Sequence, residues 1–209
     1  MELKPHDLLE INSVSDLISY TPLPEWGEGS IEKSPFVVVR RARASEGLVA
    51  VGVRGSKRNE RFAAFLPVDR IVRRITPEQL VRESKWDEHS KEIFRCLEQT
   101  SNIMNVHSLI WGPTGSVGFE LTSGTETVTA ESDIDLIIRT PHRLEKKLAQ
   151  HLLDEFQKVG VRIDVQMETP AGAVNLLEYA RVKEDPVLVK TQGGPLLMED
   201  PWILYKSDN

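Results

Sequence analysis

The sequence predicts an α/β (α+β) protein, with a small, largely β N-terminal module over residues 1–80 and a mixed-sheet domain over residues 81–209. Three observations support this class. Apolar, β-branched runs follow one another between residues 36 and 68. From residue 107 onward, strand-like and helix-like segments alternate, as in α/β sheet domains. Thr-Pro pairs stand where several of the helices should begin.

The N-terminal module is predicted from the positions of its proline and glycine residues and from its apolar runs. Residues 21–35 are rich in proline and glycine, and this composition predicts a loop. Strands are expected over residues 36–42, 47–55 and 61–68, where valine, phenylalanine and alanine predominate.

Helices are predicted where a threonine can cap free backbone N–H groups and the following proline loses no hydrogen bond. Such starts are Thr76-Pro77, Thr140-Pro141 and Thr169-Pro170. A further helix is expected over about residues 85–100, where apolar residues share one face.

The C-terminal domain shows a regular order of elements. Residues 107–111 predict a strand, 115–122 a helix entry, and 133–139 a second strand before the long helix that follows Pro141. Residues 161–167 alternate strictly between apolar and polar and predict a third strand, followed by another helix. The resulting order is β-α-β-α-β-α.

The composition limits the function classes. The net charge of −6 argues against a general nucleic-acid binder, and no run reaches the ~20 apolar residues of a membrane span. A single cysteine and the lack of a signal-peptide pattern lead us to expect a cytoplasmic protein. Residues 35–85 are strongly basic, which suits an anionic ligand or an acidic partner, although a solvated face is the alternative.

Two carboxylates stand at the start of the apolar strand 133–139. Because side chains alternate along a strand, Asp133 and Asp135 should point to one face with Cα atoms ~6.6 Å apart. A divalent cation such as Mg²⁺ would relieve their repulsion, and the alternative is that both face solvent at the strand end.

Two further features extend this candidate site. Asp164 lies on the polar face of strand 161–167 and would join the pair if the two strands are neighbours. Gly115 and Ser116 lie between a strand and a helix entry, where a backbone can approach a phosphate closely. The alternatives are an ordinary polar-face residue for Asp164 and an ordinary tight turn for Gly115 and Ser116.

The ordered set of Gly115-Ser116, Asp133, Asp135 and Asp164 resembles the nucleotidyltransferase superfamily. The resemblance implies a nucleotidyltransferase-like mixed-sheet fold in which Gly-Ser holds a triphosphate. It also implies that the three aspartates are catalytic and bind Mg²⁺, with Asp164 as ligand or base. The chemistry would be in-line attack on an α-phosphorus with release of pyrophosphate.

Longer segments, including VAVGVRGSKRNERFAAFLP, WGPTGSVGFELTSG and SDIDLIIR, resemble the malonate decarboxylase holo-acyl-carrier-protein synthase family, also called phosphoribosyl-dephospho-CoA transferase. This implies 2′-(5-triphosphoribosyl)-3′-dephospho-CoA as donor and a serine of the apo acyl-carrier subunit as acceptor. Another acceptor (the citrate lyase carrier, a small molecule or RNA) and an inactive nucleotide-binding module are the rival interpretations.

The resemblance implies a function for the basic residues 35–85, since arginine guanidinium groups form paired hydrogen bonds with phosphate. Our candidates for contact with the donor phosphates are Arg40, Arg54, Arg58, Arg61 and Lys190, and all but Arg40 are assigned to the triphosphate. Arg54 has glycines beside it and Lys190 precedes a Gly-Gly turn, while the alternative for each of these residues is a solvated surface charge. The same zone could instead dock the carrier protein.

Overall fold

The computed structural model describes residues 2–57, 59–181 and 186–203 and contains two sheets. The α+β class is confirmed. The N-terminal sheet is antiparallel and has the order β4-β3-β2-β1-β5. Its strands are β1 (Leu8–Glu10), β2 (Phe36–Val39), β3 (Leu48–Arg54), β4 (Arg61–Pro67) and β5 (Arg73–Ile75). The three strands predicted in this module are confirmed.

The prediction of a loop over residues 21–35 is wrong, because helix α1 (Glu25–Lys33) occupies most of it. Gly27 lies against Leu23, where a Cβ would come within 2.6 Å of the Leu23 side chain. Ile31 is buried in the core of the N-terminal sheet, and α1 packs on β3. The glycine therefore permits close packing, and this packing stabilises a helix that composition alone disfavours.

The C-terminal sheet is mixed and has the order β11-β10-β9-β8-β7-β6. Its strands are β6 (Ile110–Pro113), β7 (Ile134–Arg139), β8 (Ile163–Glu168), β9 (Ala173–Asn175), β10 (Val187–Thr191) and β11 (Gly194–Met198). The helices of this half are α2 (Pro77–Arg82), α3 (Glu92–Val106), α4 (Gly115–Ser123), α5 (Lys146–Phe156) and α6 (Leu176–Arg181). The predicted order of strands and helices between residues 107 and 168 is confirmed.

One of the three Thr-Pro helix starts is confirmed. Thr76 caps α2, and the Gln79 backbone N–H donates to its hydroxyl at 3.2 Å. The start at Thr140-Pro141 is wrong, because α5 begins at Lys146. The intervening segment is held in the tertiary structure, where the buried Leu144 C=O accepts a hydrogen bond from the Tyr179 hydroxyl at 2.6 Å.

The third Thr-Pro start, at Thr169-Pro170, is also wrong. The Thr169 hydroxyl donates to the Gly172 carbonyl at 2.8 Å and closes a turn, after which strand β9 precedes α6. The helix expected over residues 85–100 begins later and extends further, as α3.

The two sheets meet through apolar and charged contacts. Leu8 and Phe36 of the N-terminal module form a small buried cluster with Phe119 of α4. The Arg41 guanidinium donates to the Glu168 carboxylate at the end of β8. The two halves of the chain are therefore held against each other, and the cavities between them are part of one structure.

The proposed domain boundary at residue 80 falls inside α2 and stays a prediction. Helix α2 packs closely on β6, since a Cβ on Gly112 would lie 2.2 Å from the Pro77 carbonyl carbon. In the part of the chain described above, no helix has the length and apolarity needed to span a bilayer.

Candidate active site

The parallel pairing of β7 and β8 places two of the predicted aspartates side by side. Asp135 and Asp164 are register partners, and such partners project from the same face of a sheet. Asp133 lies just before β7 and is partly buried. The alternating residues Ile134, Leu136 and Ile138 enter the main core, so β7 is fixed by its apolar side while Asp135 faces the other way.

Gly115 brings the turn after β6 into direct contact with Asp135. Its φ is +59°, in the left-handed region that favours glycine, and a Cβ at this position would lie 1.9 Å from Asp135 Oδ2. The Thr114 backbone N–H also donates to the Asp135 carbonyl at 2.8 Å. The predicted Gly-Ser turn and the predicted carboxylate therefore lie in contact.

Ser116 follows in the first turn of α4, whose N-terminal backbone N–H groups lie beside this carboxylate. The Thr127 hydroxyl donates to the Ser116 carbonyl at 2.9 Å, which ties the helix start to the loop before β7. An anion at this helix start would lie at the positive end of the helix dipole.

A buried carboxylate on α4 holds the loop that leads into β7. Glu120 accepts a hydrogen bond from Lys91 Nζ at 2.7 Å and from the backbone N–H groups of Thr127 and Val128 at 2.7 and 2.8 Å. Although burial opposes ionisation of Glu120, these donors outweigh it and hold its pKa below the usual range. Glu120 thus fixes the loop before β7 without lying at the candidate site.

Asp164 has a second partner on the neighbouring strand. The Asn175 side-chain amide donates to Asp164 Oδ1 at 2.8 Å, while its oxygen accepts from the backbone N–H groups of Leu177 and Glu178. Asn175 thereby links the predicted carboxylate to the start of α6. Within residues 2–57, 59–181 and 186–203, no three His, Cys, Asp or Glu side chains are grouped closely enough to hold a metal by themselves.

A cavity of about 420 Å³ opens between the N-terminal sheet and the Gly115 turn. One wall carries Arg40, Arg54 and Arg61, and the opposite wall carries Thr114, Gly115 and Phe119. Apolar side chains such as Leu8 and Phe62 line much of the rest, but no carboxylate lies among the lining residues of this cavity in the described chain. The cavity therefore presents cations to whatever ligand approaches the glycine turn.

Arg54 is the most deeply placed of these cations. Its guanidinium carbon lies 5.6 Å from the centre of the Phe119 ring, a cation–π distance. Burial and the neighbouring Arg61 lower the pKa of Arg54 to about 10, while Asp135 opposes this shift. Arg54 is therefore charged at neutral pH and lies close enough to Asp135 for the two charges to interact.

The remaining predicted phosphate contacts are distributed differently. Arg61 lies at the mouth of the first cavity and donates to the Glu60 carbonyl at 2.8 Å, whereas Arg58 lies outside the described residues. Lys190 lines a second cavity of about 670 Å³ and does not line the first. The structure thus brings Arg54 and Arg61 to Gly115 but places Lys190 in the adjoining space.

Several residues at this interface were not predicted from the sequence. Phe119 stacks on Arg54, and Glu168 binds Arg41 while its carboxylate lies 3.8 Å from His6 Nε2. Burial lowers the pKa of His6 to about 4, although Glu168 opposes this shift. Glu168 lies four residues after Asp164 and therefore on the same face of β8, a pattern that could have identified it from the sequence. No local pattern identifies its partners in the N-terminal module.

Comparisons with known proteins agree on one family over the whole chain. Residues 4–77 match the model of the phosphoribosyl-dephospho-CoA transferase MdcG N-terminal domain, and residues 79–201 match that of its C-terminal domain. A phosphoribosyl-dephospho-CoA transferase of Pseudomonas putida is 41% identical over 205 residues, covering 97% of each chain. The proteins of that name in Pseudomonas aeruginosa and Azotobacter vinelandii are 39% and 37% identical, covering 95% of this chain and 93% and 94% of theirs. No solved structure matches significantly.

Proposed function

The chain belongs to the phosphoribosyl-dephospho-CoA transferase family, and we propose that it loads the apo acyl-carrier subunit of malonate decarboxylase with its prosthetic group. The donor would be 2′-(5-triphosphoribosyl)-3′-dephospho-CoA, and the acceptor a serine hydroxyl of the carrier. The malonate decarboxylase carrier is favoured by the resemblance of the long sequence motifs. The family name supports the transferred group.

The observation that carries the proposal is the contact between Gly115 and Asp135 opposite Arg54. A triphosphate needs donors that approach it closely, a cation and a carboxylate pair that can share a metal. The glycine turn and the arginine wall line one cavity, Asp135 contacts the glycine turn, and Asp164 is the register partner of Asp135 on the next strand. They come from both halves of the chain, which accords with family similarity that extends over nearly its full length.

In the proposed reaction, the serine Oγ attacks the α-phosphorus and forms a new P–O bond. The bond between this phosphorus and the oxygen bridging to the β-phosphorus breaks, and pyrophosphate leaves. Arg54 and Arg61 would hold the leaving phosphates by charge-assisted hydrogen bonds, and the backbone N–H groups at Ser116 would orient them. Asp164, positioned by Asn175, would accept the proton of the serine hydroxyl.

A magnesium ion is part of the proposal because the available ligands suit it. Asp133 and Asp135 offer carboxylate oxygens, Asp164 is the register partner of Asp135, and substrate phosphates commonly complete such a site. When bound, the ion would offset the charge of the phosphates.

Mass spectrometry of the apo carrier after incubation with donor, enzyme and Mg²⁺ tests this function. We expect a mass increase equal to the phosphoribosyl-dephospho-CoA group, localised on one serine, and stoichiometric pyrophosphate. The same assay with the citrate lyase carrier determines whether the malonate decarboxylase carrier is preferred. An unmodified carrier in the presence of folded enzyme would rule out the reaction proposed here.

A further inference from the structure

The second cavity adjoins the first, and its lining suggests what it binds. The two cavities share the lining residues His6, Val38 and Arg40, so a ligand can extend from the first cavity into the second past the Arg40 side chain. The first measures about 420 Å³ and the second about 670 Å³. Each volume lies in the range of ~300–1,000 Å³ that holds one small-molecule moiety.

Cations converge on the second cavity from both halves of the chain. Arg40 and Arg41 come from the end of β2, and Lys190 comes from β10. No aspartate or glutamate belongs to the described lining of this cavity. A ligand placed there would therefore face a positive surface at neutral pH, which favours an anion.

The three cations differ in whether their charged groups already pair with another side chain. Arg41 is bound to Glu168, and this ion pair joins the two halves of the chain. Arg40 and Lys190, by contrast, are exposed, and their side chains form no hydrogen bond or ion pair with another described residue. These two side chains are available for a ligand without breaking a structural contact.

The aliphatic part of the Arg40 side chain is also held in place. A Cβ at Gly52 would lie 3.3 Å from Arg40 Cδ, so the arginine stem lies over the glycine of β3. The Arg40 backbone N–H donates to the Ala50 carbonyl at 2.8 Å. The guanidinium therefore extends from the strand between the two cavities.

The rest of the second cavity is suited to an uncharged, flexible chain. Pro5, Leu188 and Pro195 contribute apolar surface, while Gln166 and Thr191 offer hydrogen-bonding groups. His6 at the shared wall is neutral at pH 7, because burial lowers its pKa to about 4. An anion attached to a chain of amides and methylene groups matches this combination.

We propose that the second cavity binds the dephospho-CoA arm of the donor, with its diphosphate on Arg40 and Lys190 and its pantetheine chain on the apolar wall. The inference rests on the function proposed above and divides the donor between two subsites. The triphosphate lies in the first cavity with Gly115, Arg54 and Arg61, and Lys190 does not contact it. The hairpin formed by β10 and β11 is thereby a specificity element for the CoA part of the substrate.

A crossed binding experiment tests this division, using inorganic tripolyphosphate for one end of the donor and dephospho-CoA for the other. Calorimetry in magnesium-containing buffer would compare the wild-type protein with Lys190→Gln and Arg54→Gln. We expect Lys190→Gln to weaken dephospho-CoA binding about 5- to 20-fold and tripolyphosphate binding less than about 2-fold. Arg54→Gln should show the opposite pattern.

The control is Lys147→Gln, which removes the same charge from an exposed position on α5 that lines neither cavity. It should leave both affinities unchanged. If Lys190→Gln weakens both ligands equally, or tripolyphosphate alone, the two-subsite assignment is wrong while the transferase function stands. If the wild-type protein binds neither ligand but modifies the carrier with intact donor, the assignment is likewise wrong. Failure of the carrier reaction itself refutes the proposed function, and with it this inference.

Discussion

Replacing Gly115 by alanine should separate the geometry of the site from the stability of the fold. The new Cβ would lie 1.9 Å from Asp135 Oδ2 and 2.8 Å from its Cγ, whereas side-chain contacts of this kind do not fall below 3.0 Å. The carboxylate must therefore move by at least about 1 Å. The φ of +59° adds a backbone cost of about 1–2 kcal/mol for any residue with a Cβ.

These two effects have different readouts. Displacing a reacting group by 1 Å can reduce a rate by ~10²-fold, equivalent to about 2.7 kcal/mol in the activation barrier. We therefore expect Gly115→Ala to lower the rate of carrier modification about 100-fold, measured by mass spectrometry under single-turnover conditions. Chemical denaturation should show a loss of about 1–2 kcal/mol in unfolding free energy, so the variant remains folded.

Gly124 provides the matched control at the other end of α4. Its φ is +69°, but a Cβ there would have no heavy atom within 4 Å. Gly124→Ala should therefore show a comparable loss of stability with nearly unchanged activity. If the two variants lose the same activity, or if Gly115→Ala is fully active, contact between the glycine turn and Asp135 does not matter for the reaction.

Three further predictions follow from single side chains. Asp135→Asn should lower carrier modification at least about 100-fold while the protein remains folded, because the proposed metal site loses a charged ligand. Glu120→Gln should lower the unfolding free energy by about 2–4 kcal/mol, since an uncharged amide cannot form the ion pair with Lys91 and accepts more weakly from the two backbone N–H groups. Because the pKa of Glu120 is lower in the folded than in the unfolded protein, its contribution to stability is present above about pH 4.3 and is lost as the pH falls through its folded pKa. Unfolding curves of the Glu120→Gln variant should therefore lack this part of the fall in stability at acidic pH. His6→Asn, which tolerates the φ of 75°, should flatten the fall in stability between about pH 6.5 and about pH 4, because the unfolded chain binds a proton on His6 that the folded chain rejects; an unchanged pH profile would contradict this.

Much of the aspartate site was predictable because it depends on local periodicity. The two-residue alternation places the polar side chains of β7 and β8 on one face, and the intervening helix makes the strands parallel. Asp135 and Asp164 are therefore neighbours for reasons contained within residues 133–167. Gly115 was likewise marked by its position between a strand and a helix.

The elements that were predicted wrongly depend on contacts distant in sequence. Helix α5 begins late because the Leu144 carbonyl binds the Tyr179 hydroxyl, 35 residues away. Helix α1 contains two glycines and forms because Ile31 reaches the core of the N-terminal sheet. The position of Lys190 depends on how the β10–β11 hairpin lies against the N-terminal module, which no local pattern encodes.

The distribution of charge explains why the site requires both halves of the chain. The described arginines of the first cavity come from the N-terminal sheet, whereas the aspartates come from β7, β8 and the segment before β7. The N-terminal half alone presents cations and would repel the metal of a metal–triphosphate complex, whereas the C-terminal half alone presents carboxylates and would repel the phosphates. The contacts between the halves, including Arg41 with Glu168, therefore hold the arginines of the first cavity near the aspartates of the C-terminal sheet. Substituting Glu168 should consequently impair donor binding although Glu168 lines neither cavity.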